Sequence, residues 1–246
     1  MKVVIISQAR MTSTRLPGKV LKPVLGKPLL AYQIERLRRV KGAAEVVIAT
    51  TTNAADDAIV ALCEELSCAF YRGSENDVLS RYYEAAAAFE ADAVVRVTSD
   101  CPVIDPAVID DVIDLFRLAD RKRYDYVSNT LTRSFPRGMD AEIFSFPALV
   151  EAHAKAILPY EREHVTPFFY QHPEKFALGN VAHRQDESRH RWTVDTIEDF
   201  ELLERIITAL YPSHPAFTLG DMLQLLEGNP SWALLNAHVE QKKLRE

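Results

Sequence analysis

Short apolar runs alternate with segments of helical periodicity through the first half of the chain. Residues 3–6 are all apolar, as in a strand buried on both faces, and 3–7 is predicted as the first strand. Four further strands and four helices are predicted up to residue 128, and the nine segments are 3–7, 28–40, 45–50, 56–66, 69–72, 77–89, 92–98, 106–118 and 124–128. This alternation predicts an α/β protein, with a mostly parallel sheet covered by helices on both faces.

The alternation of strands and helices ends near residue 130. Turn-forming residues fill 132–140. The remaining pattern predicts strands at 141–144, 176–181 and 191–194, and helices at 147–156, 161–171, 197–210 and from 218 onward. We interpret the chain as a single domain over 1–246, in which residues 130–180 are inserted between sheet elements as a smaller lobe.

Positive charge is concentrated at the beginning of an otherwise acidic chain. The net charge is −6, but residues 1–50 hold ten Lys and Arg against two Asp and Glu. An acidic chain does not favour nonspecific binding of nucleic acid, whereas a local cationic loop favours a small polyanion. Arg10, Arg15 and Lys19 directly follow the first predicted strand, where open α/β sheets bind ligands. They make a candidate phosphate site, the alternative being a solvated basic loop.

Two aspartates extend this candidate site. Asp100 and Asp195 each follow a predicted strand, at the same ligand-binding edge of the sheet. The alternative is that each caps the next helix, although Asp105 and Thr196 compete for that function. Because Mg²⁺ prefers one or two carboxylates together with phosphate oxygens, the two aspartates are candidate magnesium ligands if the fold brings them together.

Cysteine usage and hydropathy indicate the cellular setting. The three cysteines form no C-x-x-C pair, so reduced thiols in the cytoplasm are expected. No run approaches 18 apolar residues, and the apolar start is too short for a signal peptide, so no contact with a membrane is expected.

Two polar segments after residue 130 are candidates for binding a hydroxylated ligand. They are 137–142 and 160–167, the second of which contains His164. Taken alone, His164 is better explained as a satisfied helix histidine than as a ligand-binding group. The lobe at 130–180 is rich in aromatic residues that either form a homodimer face or pack its own core, among them Phe144, Phe146, Phe168, Phe169 and Tyr170.

The order and spacing of eight motifs resemble the cytidylyltransferases that activate acidic sugars. The motifs are QARMTSTRLPGKVLKPVLGKPLL, ATTTN-x-x-DD, RGSENDVLSRYY, VRVTSDCPVIDP, YVSNT, GMDAEIFSF, YEREHVTPF and RWTVDTIEDFEL, from residue 8 to about 202. The family includes the acylneuraminate and ketodeoxyoctulosonate cytidylyltransferases, and the resemblance is strongest to the spore coat polysaccharide biosynthesis protein F group. One departure is Ser99, which stands where glycine is usual in relatives.

The resemblance implies a Rossmann-like nucleotidyltransferase sheet and transfer of CMP from CTP to an acidic, nonulosonate-like sugar. Pyrophosphate would be released, Mg²⁺ would be the cofactor, and the product would enter surface polysaccharide biosynthesis in a homodimeric, cytoplasmic enzyme. Arg10, Arg15 and Lys19 would bind the triphosphate, with Asp100 and Asp195 as the ligands of the metal. The residues implied at the base and ribose are Thr51, Thr52, Asn53, Arg72, Gly73 and Ser74, and those implied near the sugar are Asp140, Glu142 and His164.

Three other functions are open on the residues alone. A glycosyltransferase that uses a nucleotide sugar would usually carry a D-x-D pair, and only Asp100 stands at that position. A nucleotidyltransferase acting on sugar 1-phosphates would carry a longer glycine-rich signature after the first strand, where this chain has Gly18. A non-catalytic nucleotide-binding module would keep the basic loop without needing both Asp100 and Asp195.

Overall fold

A seven-stranded sheet forms the centre of the computed structural model, which describes residues 1–118 and 124–241. In spatial order its strands are β5 (Ala69–Gly73), β4 (Glu45–Thr51), β1 (Val3–Gln8), β6 (Ala93–Thr98), β8 (Glu142–Ser145), β7 (Tyr126–Ser128) and β9 (Leu178–Asn180). Only the two pairings that include β8 are antiparallel. A separate hairpin joins β2 (Pro23–Val24) to β3 (Lys27–Pro28). The predicted α/β class with a mostly parallel sheet is confirmed.

Helices follow the strands along the chain. Those of the first half are α1 (Leu29–Leu37), α2 (Asp57–Glu65), α3 (Val78–Ala88) and α4 (Pro106–Arg117). Those of the second half are α5 (Phe146–Lys155), α6 (Pro159–His164), α7 (Pro167–Tyr170), α8 (Ile197–Leu210) and α9 (Leu219–Gly228). The carboxylate of Asp105 caps α4 as predicted, accepting a hydrogen bond from Ala107 N. The carboxylate of Asp77 caps α3, accepting from Ser80 N, and each bond is 2.9 Å long.

The central strand β1 is buried on both faces, which explains its unbroken apolar run. Val4 and Ile6 pack in a core that includes residues of α3, α5 and α7. Val3 and Ile5 pack on the opposite face, with residues of α4. Because both faces are covered, the strand holds its carboxyl end, and the basic loop that follows it, in a fixed position.

Residues 130–180 contribute to the same sheet. They supply β8 and β9, and they place α5 and α7 against the core formed by Val4 and Ile6. Phe144, Phe168 and Phe169 are buried in that core. Of the five aromatic residues considered for a dimer face, Phe146 and Tyr170 are partly exposed.

The prediction of a strand at 191–194 is wrong. The segment is extended, but it bonds at single points, with Trp192 N donating to Arg137 O over 2.7 Å and Val194 N donating to Asp100 O over 2.8 Å. Arg137 and Asp100 lie in different loops, so no continuous ladder can form between the segment and one neighbouring strand. The segment nevertheless carries Asp195 to the edge of the sheet.

The helix predicted at 161–171 is interrupted at Val165. This residue has φ 71° and ψ −55°, and Thr166 N donates to His164 O over 2.8 Å, which is the geometry of a γ-turn with positive φ. The turn separates α6 from α7. The side chain of Val165 is fully buried, so the surrounding core holds this β-branched residue in a strained backbone conformation.

Within residues 1–118 and 124–241, the helices are all too short or too polar to cross a membrane.

Gly138 allows the loop before β8 to approach the 190–192 segment. Its φ is +101°, and a Cβ atom there would lie 2.4 Å from the backbone oxygen of Trp192. We expect Gly138→Ala to lower the free energy of unfolding by roughly 2–4 kcal/mol, because it combines a disfavoured φ with a clash against backbone. The control Gly228→Ala adds a Cβ with no atom within 4 Å, and it should change stability by less than about 1 kcal/mol. Urea unfolding of both variants provides the measurement, and equal effects would contradict the assignment.

Candidate active site

The basic loop after β1 is folded around its own hydrogen bonds. Met11 N donates to the buried carboxylate of Asp56 over 2.7 Å, and Gly18 N donates to Met11 O over 2.9 Å. Gly18 has φ +70°, which favours glycine at the point where the loop closes. The loop thereby carries Arg10, Arg15 and Lys19 along one wall of a cleft of about 760 Å³, hereafter the nucleotide cleft.

Lys19, Asp100 and Asp195 meet in the nucleotide cleft. Lys19 Nζ lies 3.2 Å from Asp100 Oδ2 and 2.8 Å from Asp195 Oδ1, and it also donates to Val194 O over 2.7 Å. The three side chains come from the loop after β1, the loop after β6 and the 191–195 segment. The structure therefore brings together the two aspartates that the sequence separates by 95 positions.

Asp195 is held by a second layer of charges. Its Oδ2 atom lies 2.9 Å from Arg15 NH2 and 2.8 Å from Arg191 NH2. The buried carboxylate of Asp199, in the first turn of α8, accepts from Arg191 Nε over 2.9 Å and from Asp195 N over 2.9 Å. Asp199 thus fixes both the backbone and the cationic partner of Asp195, a role that the sequence analysis missed. Its signal was the capping box that Asp199 forms with Thr196.

The electrostatics of this cluster favour the charged forms. Burial alone would lower the pKa of Lys19, but the negative charges of Asp100 and Asp195 raise it above its ordinary value. Burial alone would raise the pKa of Asp100, but the Lys19 ammonium and a hydrogen bond from Thr98 lower it below its ordinary value. Lys19 and Asp100 therefore stay ionised at neutral pH.

The donor set suits a magnesium ion bound together with phosphate. No group of three or more His, Cys, Asp or Glu residues in the described ranges could hold a metal by itself. Asp100 and Asp195 supply two carboxylates that reach one point, the position of Lys19 Nζ. Mg²⁺ is commonly bound in this manner, through one or two carboxylates with the rest of its ligands from water and phosphate.

A second cavity of about 480 Å³, hereafter the acceptor cavity, adjoins the nucleotide cleft. Thr98 and His164 line both. Glu142 is on its wall, ion-paired to Arg96 and accepting a hydrogen bond from the buried Tyr126 hydroxyl. The γ-turn at Val165 places His164 where the two cavities meet.

Asp140 also lines the acceptor cavity. Arg133 donates to its two carboxylate oxygens over 2.6 and 2.8 Å, in a bidentate pair. Asp140, Glu142 and His164, the three residues that resemblance places near the sugar, therefore share this one cavity.

The six residues that resemblance places at the base and ribose lie beside the nucleotide cleft rather than on its wall. They occupy the ends of β4 and β5 and the adjoining turns, and they are Thr51, Thr52, Asn53, Arg72, Gly73 and Ser74. Arg72 binds within this group, donating to Thr51 O over 2.8 Å and to Asn53 O over 2.9 Å. The wall on this side is formed instead by Glu75, Asn76 and Asp77.

Two further side chains complete the wall. Arg81 of α3 lines the nucleotide cleft and donates to Ser74 O over 3.1 Å, and its Nε atom is buried without a partner. Arg162 of α6 binds the Asp77 carboxylate, with Nε 3.1 Å from both oxygens, and ties α6 to the start of α3. Arg162 lies in the polar segment 160–167 that the sequence indicates as a candidate for ligand binding, whereas Arg81 was not predicted.

The side chains of Ser99 and Cys101, which flank Asp100, have structural contacts of their own. The Ser99 hydroxyl donates to Gln8 O over 2.6 Å, so the side chain that replaces the usual glycine bonds to the end of β1. Cys101 is buried, and burial together with the Asp100 carboxylate raises the pKa of its thiol well above the ordinary value. The thiol is therefore unsuited to act as a nucleophile.

Comparison with known proteins identifies the family. The family model described as cytidylyltransferase matches residues 3–242. The spore coat polysaccharide biosynthesis protein SpsF of Bacillus subtilis is 31% identical over 241 residues, which cover 94% of this chain and 96% of that protein. A solved structure of a cytidylyltransferase from Leptospira borgpetersenii is similar at a TM-score of 0.90 and 37% identity, with 99% of each chain covered. The chain belongs to the cytidylyltransferase family of enzymes.

A more distant structure shares the fold. The CMP:2-keto-3-deoxy-manno-octonic acid synthetase complexed with CTP is similar at a TM-score of 0.62 and 19% identity, covering 85% of this chain and 99% of that one. The nucleotidyltransferase sheet is therefore common to this chain and that enzyme.

Removal of the Lys19 ammonium should lower the stability of the protein by an amount that depends on pH. Lys19→Met leaves Asp100 and Asp195 without their shared counter-charge, and we expect a loss of about 1–3 kcal/mol at pH 7 for these partly exposed groups. Lys19 lowers the pKa of Asp100 in the folded protein, so its stabilisation is present above the unfolded pKa of about 4 and is lost as the pH falls. Urea unfolding at pH 7 and pH 3 should show that the difference in unfolding free energy between wild type and Lys19→Met is smaller at pH 3. Lys41→Met, at an exposed lysine, is the control. A difference that is the same at both pH values would contradict this.

Proposed function

We propose that the protein transfers CMP from CTP to an acidic sugar of the nonulosonate class, with release of pyrophosphate. The observation that carries the proposal is the meeting of Lys19, Asp100 and Asp195 in a cleft that continues into a second polar cavity. One compartment suits a nucleoside triphosphate, and the other suits a hydroxylated acceptor.

The nucleotide cleft offers the charge that a triphosphate requires. Arg10, Arg15 and Lys19 line it, and the bidentate fork of an arginine matches phosphate oxygens. The distant CMP:2-keto-3-deoxy-manno-octonic acid synthetase was solved with CTP, which supports CTP as the nucleotide. On binding, the triphosphate gives the Lys19 ammonium an alternative to its two carboxylate partners.

The acceptor hydroxyl attacks the α-phosphorus from the acceptor cavity. A bond forms between that oxygen and the α-phosphorus while the hydroxyl loses its proton to water, the bond from the α-phosphorus to the bridging oxygen breaks, and pyrophosphate leaves. Arg10, Arg15 and Lys19 stabilise the negative charge that develops on the leaving group. Most of the catalysis then comes from positioning and electrostatics, as is usual in phosphoryl-type transfer.

Asp100 and Asp195 are the residues that would hold Mg²⁺. When bound, the ion would polarise the α-phosphate and lower the pKa of the acceptor hydroxyl. Arg15 and Arg191 pair with Asp195 and orient it, and Thr98 bonds to the Asp100 carboxylate. These second-layer contacts fix the direction in which the carboxylate oxygens point.

We further propose a homodimer that acts in cytoplasmic synthesis of surface polysaccharide. The relative named for spore coat polysaccharide biosynthesis supports the pathway class, and the free cysteines support a reducing compartment. Val150, Ile157 and Leu158 expose 40%, 85% and 43% of their surface around the α5–α6 connection. Ile157 also lines the nucleotide cleft, so a second copy of the chain bound at this apolar surface would cover part of the cleft wall. The molecular mass of the protein in solution tests whether it is a dimer.

Loss of one electrostatic partner should lower turnover far more than it lowers stability. We expect Arg15→Ala and Asp100→Asn each to reduce kcat by about 10²–10³-fold, because each removes charge that stabilises the transition state. The assay is pyrophosphate release from CTP with 3-deoxy-manno-octulosonate or N-acetylneuraminate as the acceptor. Arg184→Ala, an exposed arginine outside both cavities, is the matched control and should retain wild-type turnover.

Two outcomes would remove the proposal. Near-wild-type turnover of both active-site variants would exclude the charge arrangement as its basis. Binding of CTP without pyrophosphate release, with every sugar acid supplied, would favour a nucleotide-binding module instead.

A further inference from the structure

The acceptor cavity holds more positive than negative side chains. Three arginines and two carboxylates line it, and four of these five form pairs. Arg96 is paired with Glu142, and Arg133 binds Asp140 through two hydrogen bonds. Both arginines are therefore committed to a carboxylate of the protein.

Arg137 is the third arginine, and its guanidinium has no hydrogen bond or ion pair to any residue within 1–118 or 124–241. It is partly buried. Burial and the nearby guanidinium groups of Arg133 and Arg191 lower its pKa, while Asp140 acts in the opposite direction. A cation in such surroundings gains from an external anion, because no carboxylate in the described ranges pairs with it and the nearby Asp140 is already paired with Arg133.

The backbone of Arg137 is fixed on both sides. Its N–H donates to His190 O over 3.0 Å, and its carbonyl accepts from Trp192 N over 2.7 Å. Gly138 then packs against Trp192. The same 190–195 segment carries Asp195, so Arg137 is anchored to the element that positions the aspartate of the nucleotide cleft.

We propose that Arg137 binds the carboxylate of the acceptor sugar and so determines that the acceptor is an acid. This inference rests on the proposed function and deepens it by assigning the group that recognises the acid. A guanidinium fork matches a carboxylate in two parallel hydrogen bonds. The paired arginines are poorer candidates, because engaging a substrate would strand Glu142 or Asp140 without its partner in a partly buried site.

The remaining polar wall suits the hydroxylated part of such a sugar. Thr130, Asp140 and Glu142 offer oxygen acceptors, and His164 stands where the cavity meets the nucleotide cleft. A sugar held by its carboxylate at Arg137 keeps its hydroxyls among these polar groups.

The test compares an acid with its neutral amide in two variants. The substrates are 3-deoxy-manno-octulosonate or N-acetylneuraminate, whichever wild type uses, and the corresponding carboxamide. We expect Arg137→Gln to raise KM for the acid by about 10–100-fold, the amount that a charge-assisted hydrogen-bond pair contributes. KM for CTP should stay within about twofold, and Arg137→Lys should be intermediate because a point charge replaces the fork.

The acid-to-amide comparison separates recognition from general damage. Wild type should prefer the acid, and Arg137→Gln should lose that preference while it keeps activity at high acceptor concentration. Arg184→Gln, which removes an exposed guanidinium outside the cavity, should leave both KM values unchanged. An unchanged KM for the acid, a preference that persists in Arg137→Gln, or an equal rise in KM for CTP would overturn the assignment of Arg137.

Failure of the two proposals gives different results. If wild type releases no pyrophosphate with any sugar acid, the proposed function fails, and the assignment of Arg137 with it. If wild type is active and Arg137→Gln matches it with both acid and amide, only the assignment of Arg137 fails. Arg137→Lys serves as the second variant if the glutamine variant does not fold.

Discussion

The bridge from Lys19 to Asp100 and Asp195 is the interaction on which the site depends. Two carboxylates that face one small volume repel each other, and a single ammonium 3.2 and 2.8 Å from them makes their approach possible. Arg15, Arg191 and the buried Asp199 extend the bridge into an alternating network of charges. The network links three distant parts of the chain, so the site and the packing of the 191–195 segment form together.

The direction of each strand explains which of its ends carries functional groups. β1 and β6 are parallel, so the residues that follow them, Lys19 and Asp100, lie at one edge. β8 runs in the opposite direction, and its first residue, Glu142, pairs in register with Arg96 of β6. The acceptor cavity therefore takes its carboxylates from residues at or before the start of a strand, and the nucleotide cleft takes its charges from residues after one.

Local signals in the sequence were sufficient for the first half of the fold and for the two aspartates. The apolar run of β1 and the caps Asp77 and Asp105 are short-range features, and the rule that parallel strands end at one edge brought Asp100 to the basic loop. The prediction of a strand at 191–194 was wrong, because the pattern of residues within a segment does not show whether its neighbours in space are strands or loops. The prediction of one continuous helix at 161–171 was wrong for a related reason. Only tertiary packing keeps Val165, a β-branched residue, at positive φ, and the local sequence does not show that packing.

Residues whose role depends on whether they have an ion-pair partner were the hardest to predict from the sequence. Arg137, Arg133 and Arg96 are alike in sequence, and only the structure shows that the last two are paired with Asp140 and Glu142. Asp199 completes the capping box whose N-cap is Thr196, and the same carboxylate also binds Arg191. Partnership is a property of three-dimensional proximity, and residue type and spacing do not encode it directly.

Coupling between Asp100 and Asp195 in metal-dependent nucleotide binding tests the central claim most directly. Calorimetric titration of CTP, with and without Mg²⁺, would be carried out on wild type, Asp100→Asn, Asp195→Asn and the double variant. If both carboxylates serve one ion, Mg²⁺ strengthens binding in wild type, each single substitution removes most of that gain, and the double variant loses no more. Independent, additive losses, or an equal gain from Mg²⁺ in all four proteins, would contradict a shared site.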